Sequence, residues 1–218
     1  MARPRFTGAE EFVPARVPHN RAGLERLADA ARGCTGCDLY AAATQMVFDD
    51  GDASARLVLV GEQPGDQEDR QGHPFVGPAG RVLHECLGHA GIDVGDVYFT
   101  NAVKHFRHTD RGKRRIHQRP TTEHIDACHA WLDSEMTVVD PPVVVALGAV
   151  AVRGLTGRTQ AIAPLRGAPL DLDGRALFVT YHPSAALRAD SRRAEIRDAI
   201  VTDLRAAAAW TGVTPQRR

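Results

Sequence analysis

The sequence predicts an α/β protein: a three-layer α/β/α sandwich around a central four-stranded parallel sheet. Three observations point there. Four short apolar runs rich in β-branched residues read as strands buried on both faces. Amphipathic helical segments separate them, the alternation that builds a parallel sheet covered on both sides. The length of 218 residues, 43% hydrophobic and 25% charged, suits one well-buried domain and falls short of two. A single domain over residues 1–218 is therefore expected, with flexible ends at 1–20 and 212–218.

The first strand is Leu57–Val60. The segment Gly61–Gly80 after it is rich in turn residues, and Ala79–Ala90 then places Val82, Leu83, Cys86, Leu87 and Ala90 on one helical face. The second strand, Val97–Thr100, runs into the polar stretch Asn101–Arg119. Thr121 caps a helix reaching Met136, with Ile125, Cys128, Leu132 and Met136 on one face. Val143–Leu147 and Leu177–Thr180 are the third and fourth strands, and Tyr181–Arg188 follows the last of them. An Ala-rich helix over Arg192–Trp210 closes the pattern. In parallel α/β folds ligands gather at the carboxyl ends of the strands. The segments after strands one, two and four are thus expected to converge on the functional site.

Composition narrows the classes. The longest apolar runs are far too short to span a bilayer, and residues 1–20 carry no apolar signal core, so a cytoplasmic monomer with no membrane partner is expected. In a reducing compartment four cysteines do not suggest a disulfide framework. Cys34-x-x-Cys37 has ligand spacing, open on spacing alone to zinc or iron–sulfur. Net charge is zero, yet Lys104 to Arg119 holds seven Lys/Arg, three His and one acid. Such a stripe can neutralise phosphates locally, although alone it reads equally as a solvated basic loop. No G-x-G-x-x-G follows the first strand, which speaks against a dinucleotide enzyme.

Three motifs occupy the converging segments. Gly61-Glu62-Gln63-Pro64-Gly65-Asp66-Gln67-Glu68 forms a tight turn whose carboxylates are not expected in the core. Its bland alternative is a solvated acidic loop. His73-Pro74-Phe75-Val76-Gly77-Pro78-Ala79-Gly80 sets an aromatic among turn residues; a lone Phe is usually core, but a rigid loop makes it a candidate stacking platform. His182-Pro183-Ser184 follows the fourth strand, with Leu187 and Arg188 beyond, and apolar side chains on such loops can wedge into a base stack. Each motif is weak alone. Their order and placement together are strong.

Gly61-Glu62-Gln63-Pro64-Gly65, Gly77-Pro78-Ala79-Gly80, Thr100-Asn101-Ala102-Val103-Lys104, Cys128 before Trp131-Leu132, and His182-Pro183-Ser184 occur in this order. From about Cys34 to Arg205 the chain resembles the uracil-DNA glycosylase superfamily, and within it the family 4 iron–sulfur enzymes. Three departures are informative. Family 4 has Ala where Gln63 stands and Cys where His105 stands, and this chain inserts residues 113–120 ahead of the Cys128 helix. Those differences resemble the X-type (UdgX) branch, which binds uracil-DNA covalently.

The resemblance implies a structural [4Fe–4S] cluster on Cys34, Cys37 and Cys128. For the fourth ligand it leaves His105, at the family's cysteine position, as the preferred choice over Cys86, which reads as a small core residue. It implies uracil-containing DNA, with single strands expected, as the partner, and an extruded base. Phe75 would stack on the uracil, Asn101 would match its N3–H and O4, and His182 would donate to the departing O2. Glu62 and Asp66 would stabilise the sugar cation, with Gln63 holding a water or ligand atom. Lys113, Arg114, Arg115, Ser184, Leu187 and Arg188 would contact DNA. His117, on the insertion, is the expected nucleophile toward C1′, giving a single-turnover covalent product in DNA repair. An ordinary hydrolytic family 4 glycosylase and a non-catalytic uracil-DNA-binding module are the alternatives.

Overall fold

The computed structural model describes residues 6–211. In chain order its strands are β1 (Asp49–Asp50), β2 (Leu57–Gly61), β3 (Val97–Asn101), β4 (His108–Arg111), β5 (Arg114–His117), β6 (Val143–Leu147), β7 (Leu170–Leu172) and β8 (Arg175–Thr180). The helices are α1 (Arg21–Ala31), α2 (Asp66–Gln71), α3 (Pro78–Ala90), α4 (Thr122–Val139), α5 (Ala149–Thr156), α6 (Ser184–Arg188) and α7 (Arg193–Thr211). The main sheet has the order β1-β3-β2-β6-β8-β7. Its four inner strands are parallel, as expected; the two outer strands pair antiparallel and enlarge the sheet from four strands to six.

The period-2 rule sorts the inner strands cleanly. Val58, Val60, Tyr98, Val144, Ala146, Leu177 and Val179 face one core, which α1, α4 and α5 cover. Leu57, Leu59, Val97, Phe99, Val145, Leu147 and Phe178 face the other, covered by α3, α6 and α7. With both faces buried, β2 and β6 are apolar or glycine throughout and β3 turns polar only at Thr100 and Asn101, hence the unbroken runs in the sequence.

Thr121 is the N-cap of α4. Its hydroxyl accepts from the His124 N–H, and its own N–H donates to His124 Nδ1 at 3.1 Å, a reciprocal capping box. Of the terminal stretches expected to be flexible, 1–5 and 212–218 lie outside the described residues. Residues 6–20 hold packed contacts: Ala9 is buried, and its N–H donates to Ala127 O at 2.8 Å.

The strand order also positions the site. Chain leaves β2 toward β3 on one side, and later returns to β6 on the other side of β2. The crevice of such a sheet opens at the carboxyl end of the strand where the order diverges. That end is Gly61-Glu62-Gln63.

Candidate active site

A cavity of about 580 Å³ opens at this point, and all three converging segments line it: Glu62, Gln63, Asp66 and Phe75 after β2, Asn101 and His117 after β3, and His182, Ser184, Leu187 and Arg188 after β8. The expected basic loop is a two-stranded hairpin, β4–β5, turning at Gly112, whose φ of +62° favours glycine. His117 ends β5 at the cavity wall.

Gln63 explains how the hairpin is held there. Its Nε2 donates to Arg107 O at 3.2 Å and Gln118 O at 3.0 Å, and its Oε1 accepts from Arg107 N–H at 3.3 Å. The side-chain amide thus behaves as a peptide group clasping both strands at the hairpin base. These carbonyl partners identify the nitrogen end of the amide. His117 Nε2 lies 3.0 Å from that nitrogen. Gln63 was expected to hold a water or ligand atom; it is buried and engaged with the hairpin instead.

Arg115 is placed differently from the expected DNA contact. Its guanidinium donates to Asp66 Oδ1 at 2.5 Å, Asp69 Oδ2 at 2.6 Å and Thr44 Oγ1 at 3.0 Å, and lies over the Phe106 ring. It ties β5 to α2. Asp66 is consequently an anchor between Arg115 and Arg70; these hydrogen bonds hold its carboxyl below the usual range despite opposing desolvation. Arg111, Lys113 and Arg114 remain exposed at the hairpin tip, and Arg119 is exposed beyond its base. The turn after β2 also holds buried acids, contrary to expectation. Glu68 is 7% exposed, and its carboxylate accepts the Gly77 N–H at 2.9 Å, joining the Gly65 and Phe75 loops.

The floor of the cavity depends on two glycines. A Cβ on Gly61 would meet Asn101 Oδ1 at 2.3 Å and Phe75 Cζ at 2.6 Å, so Gly61 lets the two side chains flank one point. A Cβ on Gly80 would strike the Phe75 carbonyl at 1.6 Å. Phe75 itself has φ +57°, uncommon for a bulky residue, and its ring lies 5.8 Å from Phe99. At the opposite wall the Ser184 N–H donates to His182 Nδ1 at 3.2 Å. The His182 proton therefore sits on Nε2, making a neutral donor, and desolvation, followed by Arg188 and His117, pushes the pKa of His182 down to about 4. Desolvation and Arg188 also lower His117. Glu62 stands 3.7 Å from His117 Nε2, its pKa raised by desolvation against the pull of Arg119 and Arg188.

The description "Uracil DNA glycosylase superfamily" matches residues 48–205. The chain belongs to the uracil-DNA glycosylase superfamily. It is 37% identical over 83% of its length to a type-4 uracil-DNA glycosylase of Thermotoga maritima, covering 91% of that protein. It is 31% identical to the type-4 enzyme of Pyrobaculum aerophilum over 80% of its length and 89% of the relative's. To that of Archaeoglobus fulgidus it is 33% identical, over 79% and 88%.

In this superfamily member Cys34, Cys37 and Cys128 are buried in the core beneath α1 and α4. Cys34 Sγ accepts from Trp131 Nε1 at 3.3 Å, and Cys128 Sγ from the Lys104 N–H at 3.3 Å. Burial raises the Cys37 thiol to about 11 and the Cys128 thiol to about 12. Cys86 lies in the opposite core, its Sγ facing Arg197 O at 4.0 Å, so the sheet separates it from the other three. His105 is buried and kept neutral by desolvation, its pKa pushed down to about 4. Among the described residues no group of three or more His, Cys, Asp or Glu converges closely enough to hold a metal ion. No described helix is long and apolar enough to cross a membrane.

In the sequence Lys104 stands in the basic stripe and in the Thr100–Lys104 motif, with no role assigned to it. It is 0% exposed and paired with Glu135, also 0% exposed. Its Nζ reaches Thr100 Oγ1 at 2.5 Å, and Glu135 Oε1 accepts from Thr100 at 2.7 Å and Tyr98 at 3.0 Å. This polar set underlies β3, one residue behind Asn101.

Proposed function

We propose that this chain is an X-type uracil-DNA glycosylase, acting as a monomer on single-stranded DNA. It cleaves the glycosidic bond of an extruded uracil and becomes joined to C1′ through His117. The observation that carries this reading is His117 Nε2, 3.0 Å from Gln63 Nε2 in the same cavity as Phe75, Asn101 and His182. Phe75 gives the uracil a stacking face, and the Asn101 amide complements N3–H and O4. As the C1′–N1 bond breaks, its electron pair leaves on uracil, and His182 Nε2–H donates to O2. Such donors are worth about 3–4 kcal/mol when aimed at developing charge. Ionised Glu62 stabilises the sugar cation. The Nε2 lone pair forms the new bond to C1′, and Nδ1 then releases its proton to solvent, leaving a neutral imidazole adduct. Mixing the protein with a labelled uracil oligonucleotide, then boiling in detergent, should leave a slower band on a denaturing gel. The type-4 relatives favour a second reading, hydrolysis with turnover, in which free uracil accumulates beyond one per protein and no band survives.

Two ionisations govern the rate below neutrality. Protonation of Glu62 removes its charge, and protonation of His117 removes the lone pair. Glu62 titrates above its usual 4.5 and His117 below its usual 6.5. Adduct formation should therefore be faster at neutral pH than in acid, where both groups take up protons. Stopped reactions across pH check this; a rate that rises on acidification contradicts a neutral nucleophile.

Gly61→Ala should slow the reaction about 100-fold, because its Cβ displaces both the Asn101 amide and the Phe75 ring by about an ångström. Single-turnover kinetics, with circular dichroism to confirm the fold, measure the effect.

The cysteine trio supports a structural [4Fe–4S] cluster. Three buried thiols lie in one layer with N–H donors on two sulfurs, and such donors suit thiolate ligands once a metal displaces the protons. Cys34, Cys37 and Cys128 would hold it, with His105 as the fourth ligand. A bound cluster would brace the chain leading into the hairpin. Metal analysis should find about four irons per chain, and His105→Ala should lose iron where Cys86→Ala does not. Zinc in place of iron would overturn the assignment.

A further inference from the structure

Phe106 is a large buried side chain that neither core accounts for. It is 1% exposed, yet among the described residues it belongs to neither hydrophobic cluster. The inward face of the hairpin covers its ring instead. The His108 ring stacks on it at 4.8 Å and 22°, and the Arg115 guanidinium lies over it at 5.3 Å. The His117 ring meets it at 5.9 Å and 46°. A leucine would fill an ordinary core as well. Imidazoles stacking on a flat ring, and a guanidinium over its negative face, call for an aromatic.

This contact bears on His117 because its other neighbours meet it at one atom. The side chain is 49% exposed at the end of β5. Gln63 Nε2 lies 3.0 Å from its Nε2, and Glu62 Oε1 lies 3.7 Å from the same atom. Contacts at a single atom leave an imidazole free to turn about it, and the terminal torsion of a histidine is broad. The lone pair of a ring nitrogen lies in the ring plane, so turning the plane swings the lone pair off its target. Phe106 supplies the missing contact to the ring itself. His108 and His117 are cross-strand partners, and the one aromatic beneath both sets their planes together.

Resting on the covalent glycosylase reading above, we propose that Phe106 is a positioning residue for the bond to C1′. Its ring sets the plane of His117 so that Nε2 faces the sugar. Phe106 stands behind the cavity wall, outside the lining residues, so its effect passes through the imidazole alone.

The test separates setting a plane from filling a space. Phe106→Leu and Phe106→Met keep apolar bulk and remove the flat face, whereas Phe106→Tyr keeps the face. The comparison uses variants that retain native circular dichroism and iron content. Single-turnover adduct formation is followed against the concentration of a uracil oligonucleotide, giving a limiting rate and a half-saturating concentration. Phe106→Leu and Phe106→Met should lower the limiting rate about 10- to 100-fold, the scale of a reacting group turned out of line. Their half-saturating concentration should stay close to native, because Phe75, Asn101 and His182 are untouched. Phe106→Tyr should recover most of the limiting rate. If the leucine and methionine variants react at the native rate, the ring positions nothing and the proposal is wrong. If half-saturation weakens as much as the limiting rate falls, or tyrosine does no better than leucine, Phe106 only holds the hairpin together, which also overturns it. A native protein that releases uracil repeatedly and forms no adduct removes the covalent reading, and this proposal with it.

Discussion

If His117 is the nucleophile proposed above, His117→Ala should abolish the heat-stable band while leaving uracil recognition in place. The alanine removes the Nε2 lone pair, the one group for which the covalent step has no substitute. Gln63 keeps its bonds to Arg107 and Gln118, so the hairpin base stays clasped. Phe75, Asn101 and His182 hold their geometry through Gly61, Gly80 and Ser184, none of which depends on His117. Losing an attacking group from an otherwise intact site costs on the order of 10⁴-fold or more. The variant should therefore bind a uracil strand in preference to a thymine strand and form no adduct over hours. Release of free uracil by this variant, with repeated turnover, would mean that water reaches C1′ once the imidazole is gone. A band that persists in His117→Ala places the attachment on another residue and overturns the assignment.

The inner sheet was legible because a parallel strand buried on both faces needs an unbroken apolar run. The edge strands were not. Asp49–Asp50 and Leu170–Leu172 are short, and the first is wholly acidic; they pair because a neighbouring strand offers hydrogen bonds, which no side-chain pattern announces. The β4–β5 hairpin read as a basic loop for a related reason: its inward face packs on Phe106 through His108, Arg115 and His117 rather than through apolar side chains, so no apolar alternation appears.

The site residues divide in the same way. Phe75, Asn101, His117 and His182 stand on segments that follow strands, and the α/β rule alone predicts their convergence. Arg115 and Gln63 are different. Their partners lie 44 to 71 positions away, and a cation or an amide in a loop looks the same whether it faces solvent or clasps a hairpin. The structure also joins two features that the sequence shows as separate: Gln63 and the β4–β5 hairpin act together, since the amide has its carbonyl partners, Arg107 and Gln118, at the two ends of that hairpin.

Lys104→Met should cost about 3–5 kcal/mol of stability near neutral pH, the usual loss when one partner of a buried ion pair is removed. The methionine keeps the volume, so the loss comes from leaving the Glu135 carboxylate without its cation rather than from a cavity. Burial already drives Glu135 up, to about 7, against the pull of Lys104. Without that pull its folded pKa rises further above the unfolded value near 4.5. An acid whose folded pKa is raised carries no penalty below the unfolded value, and the penalty grows as pH rises through the folded pKa. The variant should therefore approach native stability near pH 4.5 and fall behind it steadily toward pH 8. Urea unfolding at several pH values measures this, with the midpoint moving and the slope constant. Lys104→Met combined with Glu135→Leu should recover much of the loss, because apolar replacement of a whole buried pair is often neutral. The same loss at every pH, with no recovery in the double variant, would show that Lys104 stabilises β3 by packing alone.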